Sequence, residues 1–351
     1  MYDWKAEFKD LIYNNFSDAD KLKKLIQENK PEKLYKYKSM SMNMEVKDLY
    51  NLLDSIENNT IWCSSPLNFN DPYDCALFIN SHSILENNIE SIVPNLDYKE
   101  IEEVAADKNS YSDNIEVCVE EILMEKFKID LGNMEGYTTV TKELLHKMYD
   151  YMKKNCNIKK GNEKNFDIDA IRSVIEIFKE DVDNIVQSEF DSIRNNLAIA
   201  CLSETNDNIL MWSHYANNHK GICLEYDFEE INNISTIFPV IYSNNTCDIS
   251  DDILNENYNF IIQKVLTKAE NWKYENEWRI VVQNKDESQI GLLIKTPKVK
   301  AIYLGCRIDE ENKKTIKNLA IEKGIEVYQM KMKKDSFELE PEKVELNISN
   351  F

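Results

Sequence analysis

The chain has 351 residues, 42% of them apolar, and a formal net charge of −21 from 42 basic and 63 acidic side chains. That length and apolar share support a substantial core, while seven glycines and seven prolines exclude collagen-like or linker-like architecture. A field so negative repels phosphate backbones, which argues against duplex DNA or RNA as a general partner.

In chain order, Met1 to Glu7 lack the basic-then-apolar plan of a secretion signal. No later apolar run reaches the ~20 residues that cross a bilayer. A cytoplasmic protein without a membrane partner is therefore expected. Residues 1–32 read as two short amphipathic helices closed by Pro31, followed by strands at Lys33 to Lys38 and Thr60 to Ser64. Pro66 to Asp74, with two prolines and two asparagines in nine residues, predicts a fixed loop. From Ser83 to Asn195 the chain turns acidic and helical. Ile171, Val174, Ile175, Phe178, Val182, Ile185 and Val186 form a stripe at helical spacing, and shorter helices are expected at Lys99 to Lys126 and Thr141 to Lys154.

Beyond Asn196 sheet signals resume. Leu197 to Leu202 is apolar throughout, as in a strand covered on both faces. Asp207 or Asn208 can cap a helix through Leu210 to Ala216, ended by a left-handed turn at Asn217 or Asn218. Ile222, Leu224 and Tyr226 then share one strand face, with Cys223, Glu225 and Asp227 on the other. A helix is expected from Asp251 to Lys268, and Trp278 to Val282 with Gly291 to Ile294 resemble paired strands. The tail reads as strand Val299 to Leu304, helix Asp309 to Lys323 stopped by Gly324, and strand Glu326 to Met332. The expectation is an α+β protein: a mixed-sheet core from 33–82 and 196–351, N-terminal helices at 1–32, and an acidic α-helical insertion at 83–195.

Eight cysteines are scattered without a CxxC pair, which predicts reduced structural thiols and no metal site. Three constellations carry candidate chemistry. The first is Met211-Trp212-Ser213-His214-Tyr215-Ala216, followed by His219-Lys220-Gly221. His214 is either a core imidazole or a group that orients a substrate. The second is Glu275-Asn276-Glu277-Trp278-Arg279. If this is a strand or its mouth, the two carboxylates share a face and repel, and one should have a raised pKa unless a cation such as Arg279 or Lys273 intervenes. Such pairs suit sugar chemistry, but an edge strand with solvated glutamates and a core tryptophan is the alternative. The third is the Asn68–Asp74 loop with Ser64 and Ser65 before it, where Asp71 and Asp74 are either ligand-binding or turn-capping.

Tyr35-Lys36-Tyr37, Ser65-Pro66 with Phe69-Asn70-Asp71-Pro72-Tyr73-Asp74, the Met211–Ala216 and His219–Gly221 blocks, and Trp272 with Tyr274 to Arg279 together resemble a bacterial family. It is known as domain of unknown function 2971. A second, fainter similarity is to ADP-ribosyltransferases. Those enzymes order a basic or histidine residue, a Ser-Thr-Ser-like strand and a Glu-x-Glu or single Glu. Lys36 or Lys38, Ser64-Ser65 and Glu275-Asn276-Glu277 follow that order, with Lys in place of Arg or His and Pro66 after the serines.

This resemblance implies a transferase acting on a nucleotide sugar with NAD as cofactor, in a defence or toxin setting. Glu277 would stabilise an oxocarbenium ion, Glu275 would activate the acceptor, and His214 would complete the catalytic group. Lys36, Tyr37, Ser64, Ser65, Asn70, Asp71, Trp212, Tyr215, His219 and Arg279 would bind the ligand. The rival expectation is a non-enzymatic nucleotide-sensing module, with a protein partner reached through the helical insertion. A nuclease using Asp71, Asp74 and Glu225 is disfavoured by the net charge.

Overall fold

A computed structural model describes residues 3–14, 18–40, 52–53, 55–76, 78, 187–188, 190–228, 237–246, 249–250, 252, 260–286 and 290–346. Two compact units emerge. One holds 1–76, 193–246 and 261–351, and the other holds 77–192 and 247–260. The helices expected between residues 99 and 186, and the partner surface assigned to that insertion, lie outside the described residues. The larger unit is α+β and carries every predicted site residue.

Two short helices open it, α1 (Trp4–Tyr13) and α2 (Ala19–Asn29). The Asp3 and Asp18 side chains accept from Ala6 N at 3.3 Å and Lys21 N at 2.9 Å, satisfying amides that a helix start leaves unpaired. Phe8, Leu11 and Ile12 of α1, with Leu22, Leu25 and Ile26 of α2, bury the apolar stripe.

The sheet is built from β1 (Lys33–Lys38), β2 (Thr60–Ser64), β3 (Leu197–Ser203), β4 (Ile222–Asp227), β5 (Ile237–Pro239), β8 (Glu277–Gln283), β9 (Gly291–Lys295), β10 (Val299–Leu304), β11 (Glu326–Met332) and β12 (Leu339–Lys343). A separate parallel pair joins β6 (Ile241–Ser243) to β7 (Thr267–Ala269). The main path runs β12-β11-β10-β4-β1-β3-β2-β9, with β8 bridging β3 and β5. Between β10 and β11, which are parallel, α5 (Glu310–Lys323) starts at the Asp309 cap and stops at Gly324, whose φ of +65° a Cβ would resist. Two further helices are α3 (Ile209–Tyr215) and α4 (Phe260–Val265).

Three expectations are corrected. β8 and β9 do not pair with each other. The apolar β3 takes β8 through seven consecutive residue pairs, and β9 lies across β2. The described part of the 251–268 segment is not one helix to its end: α4 stops at Val265, and Lys268 extends as the middle of β7. Glu275 is not on a strand but ends a 3-10 turn, Glu270–Glu275, with Asn276 left-handed at φ +42° before β8 starts.

Register divides the sheet chemically. Tyr303 lies opposite Tyr328, Glu225 opposite Tyr35, Tyr35 opposite Ser203, Ser203 opposite Glu277, and Cys201 opposite Arg279. Directly opposed side chains share a face. The polar and aromatic residues therefore form a band across one side. Leu34, Leu202, Leu224, Tyr226, Trp278, Ile280 and Ile302 fill the reverse side, packed with α1, α2 and α5.

Candidate functional site

The loop after β2 is shaped by its own side chains. Ser65 accepts from Leu67 N at 3.3 Å and so caps a single 3-10 turn, Pro66–Asn68. Asp71 accepts from Tyr73 N at 2.9 Å. The loop thereby delivers Phe69, Asn70, Asp71 and Asp74 to the polar side of the sheet.

Helix α3 is fixed from its start. Asn208 Oδ1 accepts from Leu210 N at 2.9 Å and Met211 N at 3.2 Å, while its Nδ2 donates to Tyr274 O at 3.0 Å. Trp212 is fully buried, donates Nε1–H to Asn206 O at 2.7 Å, and meets Tyr37 edge-on at 5.3 Å between ring centres.

Three consecutive residues then turn left-handed, Asn217, Asn218 and His219, at φ of +46°, +54° and +67°. Each costs on the order of 1–3 kcal/mol. Bonds from Asn218 N to Ser213 O at 3.2 Å, His219 N to Trp212 O at 3.0 Å and Gly221 N to Ala216 O at 2.8 Å hold them there. A Cβ on Gly221 would run into the Lys38 carbonyl, and one on Gly305 into that of His219. Gly221→Ala is thus expected to lower stability by about 1–3 kcal/mol, as overpacking does. A urea midpoint unchanged from the parent would contradict this tight crossing of backbones.

Beneath α3 lies a buried ionic knot. Arg279, fully enclosed, donates Nη2 to both Asp74 oxygens at 2.8 Å, Nε to Glu277 Oε1 at 2.7 Å and Nη1 to Val265 O at 2.5 Å. Lys268 Nζ reaches Glu275 at 2.6 Å, Glu277 at 2.8 Å and Asp74 at 3.4 Å. Tyr215 donates its hydroxyl to Glu275 Oε1 at 2.6 Å, and the Ser203 hydroxyl donates to the Glu275 carbonyl at 2.6 Å.

The two glutamates respond oppositely. Burial would lift the Glu277 carboxyl, but Arg279 and then Lys268 hold it well below the carboxylate range. Burial raises Glu275, the neighbouring Glu277 charge adds to this, and Lys268 only partly offsets it. Burial would likewise lower Lys268, but Glu277 and Asp74 outweigh it and keep the ammonium charged. The intervening cation expected from sequence is therefore Arg279 together with Lys268. Lys273 is exposed and pairs with Glu270 at 2.7 Å.

Lys268 is the member that sequence reasoning missed, because the apolar run before it reads as helix to its end. Its only local signal is a lysine enclosed by Leu266, Thr267 and Ala269. Tyr242 was also missed; its hydroxyl accepts from Glu277 N at 2.9 Å.

Over the knot sits an aromatic surface. Trp272 donates Nε1–H to Asp71 at 2.6 Å, and its ring lies 5.2 Å from Lys268 Nζ. His214, exposed rather than in the core, has ring-centre distances of 6.3 Å to Tyr215, 6.3 Å to Trp272 and 6.5 Å to Tyr274. Asn70 bonds the Tyr215 side chain.

The remaining predicted residues stand apart from this surface. Lys36 Nζ donates to Cys201 O at 2.7 Å, and Tyr37 to Thr205 O at 3.0 Å. Ser64 and Ser65 contact backbone carbonyls, each at 3.4 Å. His219 bonds Ser213 Oγ through Nε2 at 3.2 Å and stacks 6.3 Å from Trp212. Glu225 is engaged on β4 by Tyr303 at 2.6 Å and Lys33 at 2.8 Å. A recess of about 440 Å³ lies elsewhere, lined by Leu53 and α5 residues including Leu319 and Ile321.

Residues 211–280, from α3 into β8, match a family described as a protein of unknown function, DUF2971. The matched stretch encloses His214, Tyr215, Lys268, Trp272, Tyr274, Glu275, Glu277 and Arg279, most of the knot and the whole aromatic surface. The Asn70–Asp74 loop contributes to the same structure from outside that segment. Neither a curated protein nor a solved structure matches the chain. Among the described residues, no helix is long and apolar enough to cross a membrane.

Proposed function

We propose that the chain is a binding module that captures a flat, ring-bearing, nucleotide-like small molecule on the surface formed by His214, Tyr215, Trp272 and Tyr274. One observation carries this reading. Both Glu277 carboxylate oxygens are engaged by Arg279 and Lys268, and the side chain is 2% exposed. A carboxylate so enclosed anchors the structure and leaves no oxygen for an oxocarbenium ion. The rings above it are half-exposed and held by the knot, and stacking on such rings is worth about 1–3 kcal/mol per base.

Isothermal titration with adenosine, AMP and NAD tests the proposal. Binding of at least one is expected, weakened about tenfold in Tyr274→Ala, in line with that stacking energy. Failure of every ring compound to bind would refute it.

A transferase remains the second reading, favoured by the 2.6 Å bond between Tyr215 and Glu275 and by the raised pKa of Glu275. A carboxyl whose pKa is raised is suited to general acid work. In that reading Glu275, not Glu277, is the acid, and NAD is the cofactor. Its similarity argument rests on the order of Lys36, Ser64-Ser65 and Glu275-Asn276-Glu277. NAD turnover that disappears in Glu275→Gln would replace the binding-module reading with this one.

A further inference from the structure

We propose that the ring captured on this surface is a cation, of the N-alkylated pyridinium class, and that it takes the place now held by the His214 imidazole. The inference rests on the binding reading above and adds the charge of the ligand.

Three aromatic rings surround His214. Trp272 and Tyr274 lie 6.0 Å apart, inclined by 42°, and the imidazole is 6.3–6.5 Å from both of them and from Tyr215. A cation over such rings is drawn to their negative faces. Two of the three also give a hydrogen bond to a carboxylate, Trp272 to Asp71 and Tyr215 to Glu275, each at 2.6 Å. Donation into an anion pushes electron density back into the ring and strengthens that attraction.

The charge behind the rings has the same sign preference. Among the described residues, Asp74, Glu275 and Glu277 are paired with the cations Lys268 and Arg279, three formal negative charges against two positive, and Asp71 adds another negative charge. Lys268 itself lies 5.2 Å from the Trp272 ring, where its charge is met by three carboxylates. An anionic group brought to this surface would meet a net negative field, whereas a flat cation would be drawn in.

The present occupant is also easy to displace. His214 is exposed, and no hydrogen bond or ion pair to its imidazole occurs among the described residues.

The test compares 1-methylnicotinamide with neutral nicotinamide, which has the same ring without the charge, by isothermal titration of the full chain, with adenosine as a neutral control. The cation is expected to bind at least about fivefold more tightly than nicotinamide. His214→Ala should tighten cation binding severalfold by emptying the cage, and Tyr274→Ala should weaken it. Equal affinity for the two nicotinamides, or a preference for the neutral one, would overturn the charge assignment while leaving ring capture intact. Weaker cation binding in His214→Ala would overturn the displacement. Absence of binding by 1-methylnicotinamide would overturn this inference, and the reading it rests on falls with it only if adenosine, AMP and NAD also fail to bind.

Discussion

Replacing Arg279 by methionine is expected to cost about 3–5 kcal/mol. The side chain is wholly enclosed, and its removal leaves Asp74 and Glu277 with Lys268 as their one cation among the described residues. Methionine fills much of the volume, so the loss isolates the uncompensated carboxylates from any cavity effect. Arg279→Lys should recover only part of it, because one ammonium cannot span Asp74 and Glu277 as the guanidinium fork does. Equilibrium urea unfolding measures both. A methionine variant as stable as the parent would mean that the knot contributes nothing to folding.

The second large effect is a contrast between residues two apart. Glu277→Gln is expected to destabilise by about 3–5 kcal/mol, since it removes the anion shared by Arg279 and Lys268. Glu275→Gln should be neutral or stabilising near pH 7, because it leaves Asp74 and Glu277 to balance Lys268 and Arg279, two charges of each sign.

The pH dependence separates them further. The Glu277 pKa is depressed in the fold, so its contribution is present above the ordinary value of 4.5 and is lost as pH falls toward the folded value. The Glu275 pKa is raised, so its contribution is complete below 4.5 and is lost as pH rises through the folded value. Glu275→Gln should therefore gain on the parent as pH increases from 4.5 to 7. Melting curves across that range decide it, and equal effects of the two substitutions would contradict the assigned asymmetry.

Much of this framework was legible in the chain. The alternation of Ile222, Leu224 and Tyr226 against Cys223 and Glu225 has period two, and it set the faces of β4 correctly. Asn208 before an apolar run marked the start of α3, and Asn217 with Asn218 marked its left-handed end. Asp309 and Gly324 bracketed α5. Each is a local signal, written within a few residues of the structure it specifies.

Pairing was less legible, because it depends on contacts far apart in sequence. The neighbourhood of β8 and β9 suggested a hairpin, while the partners they found are β3 and β2. The role of Lys268 could not be read either: a lysine ending an apolar stretch is ordinarily a solvated helix residue, and only the arrival of three carboxylates from two separate segments makes it a buried hub.

The amino-acid order by itself determined the class of fold, the caps and turns, and the blocks in which chemistry is concentrated, since propensity and periodicity act over short distances. Tertiary structure alone decided what those blocks do together. Desolvation and mutual charge made Glu277 an anchor and lifted Glu275, and burial consigned Trp212 and Tyr37 to the core while leaving His214, Trp272 and Tyr274 at the surface. Exposure and electrostatic environment belong to the whole assembly of segments, and no single stretch of the chain encodes them.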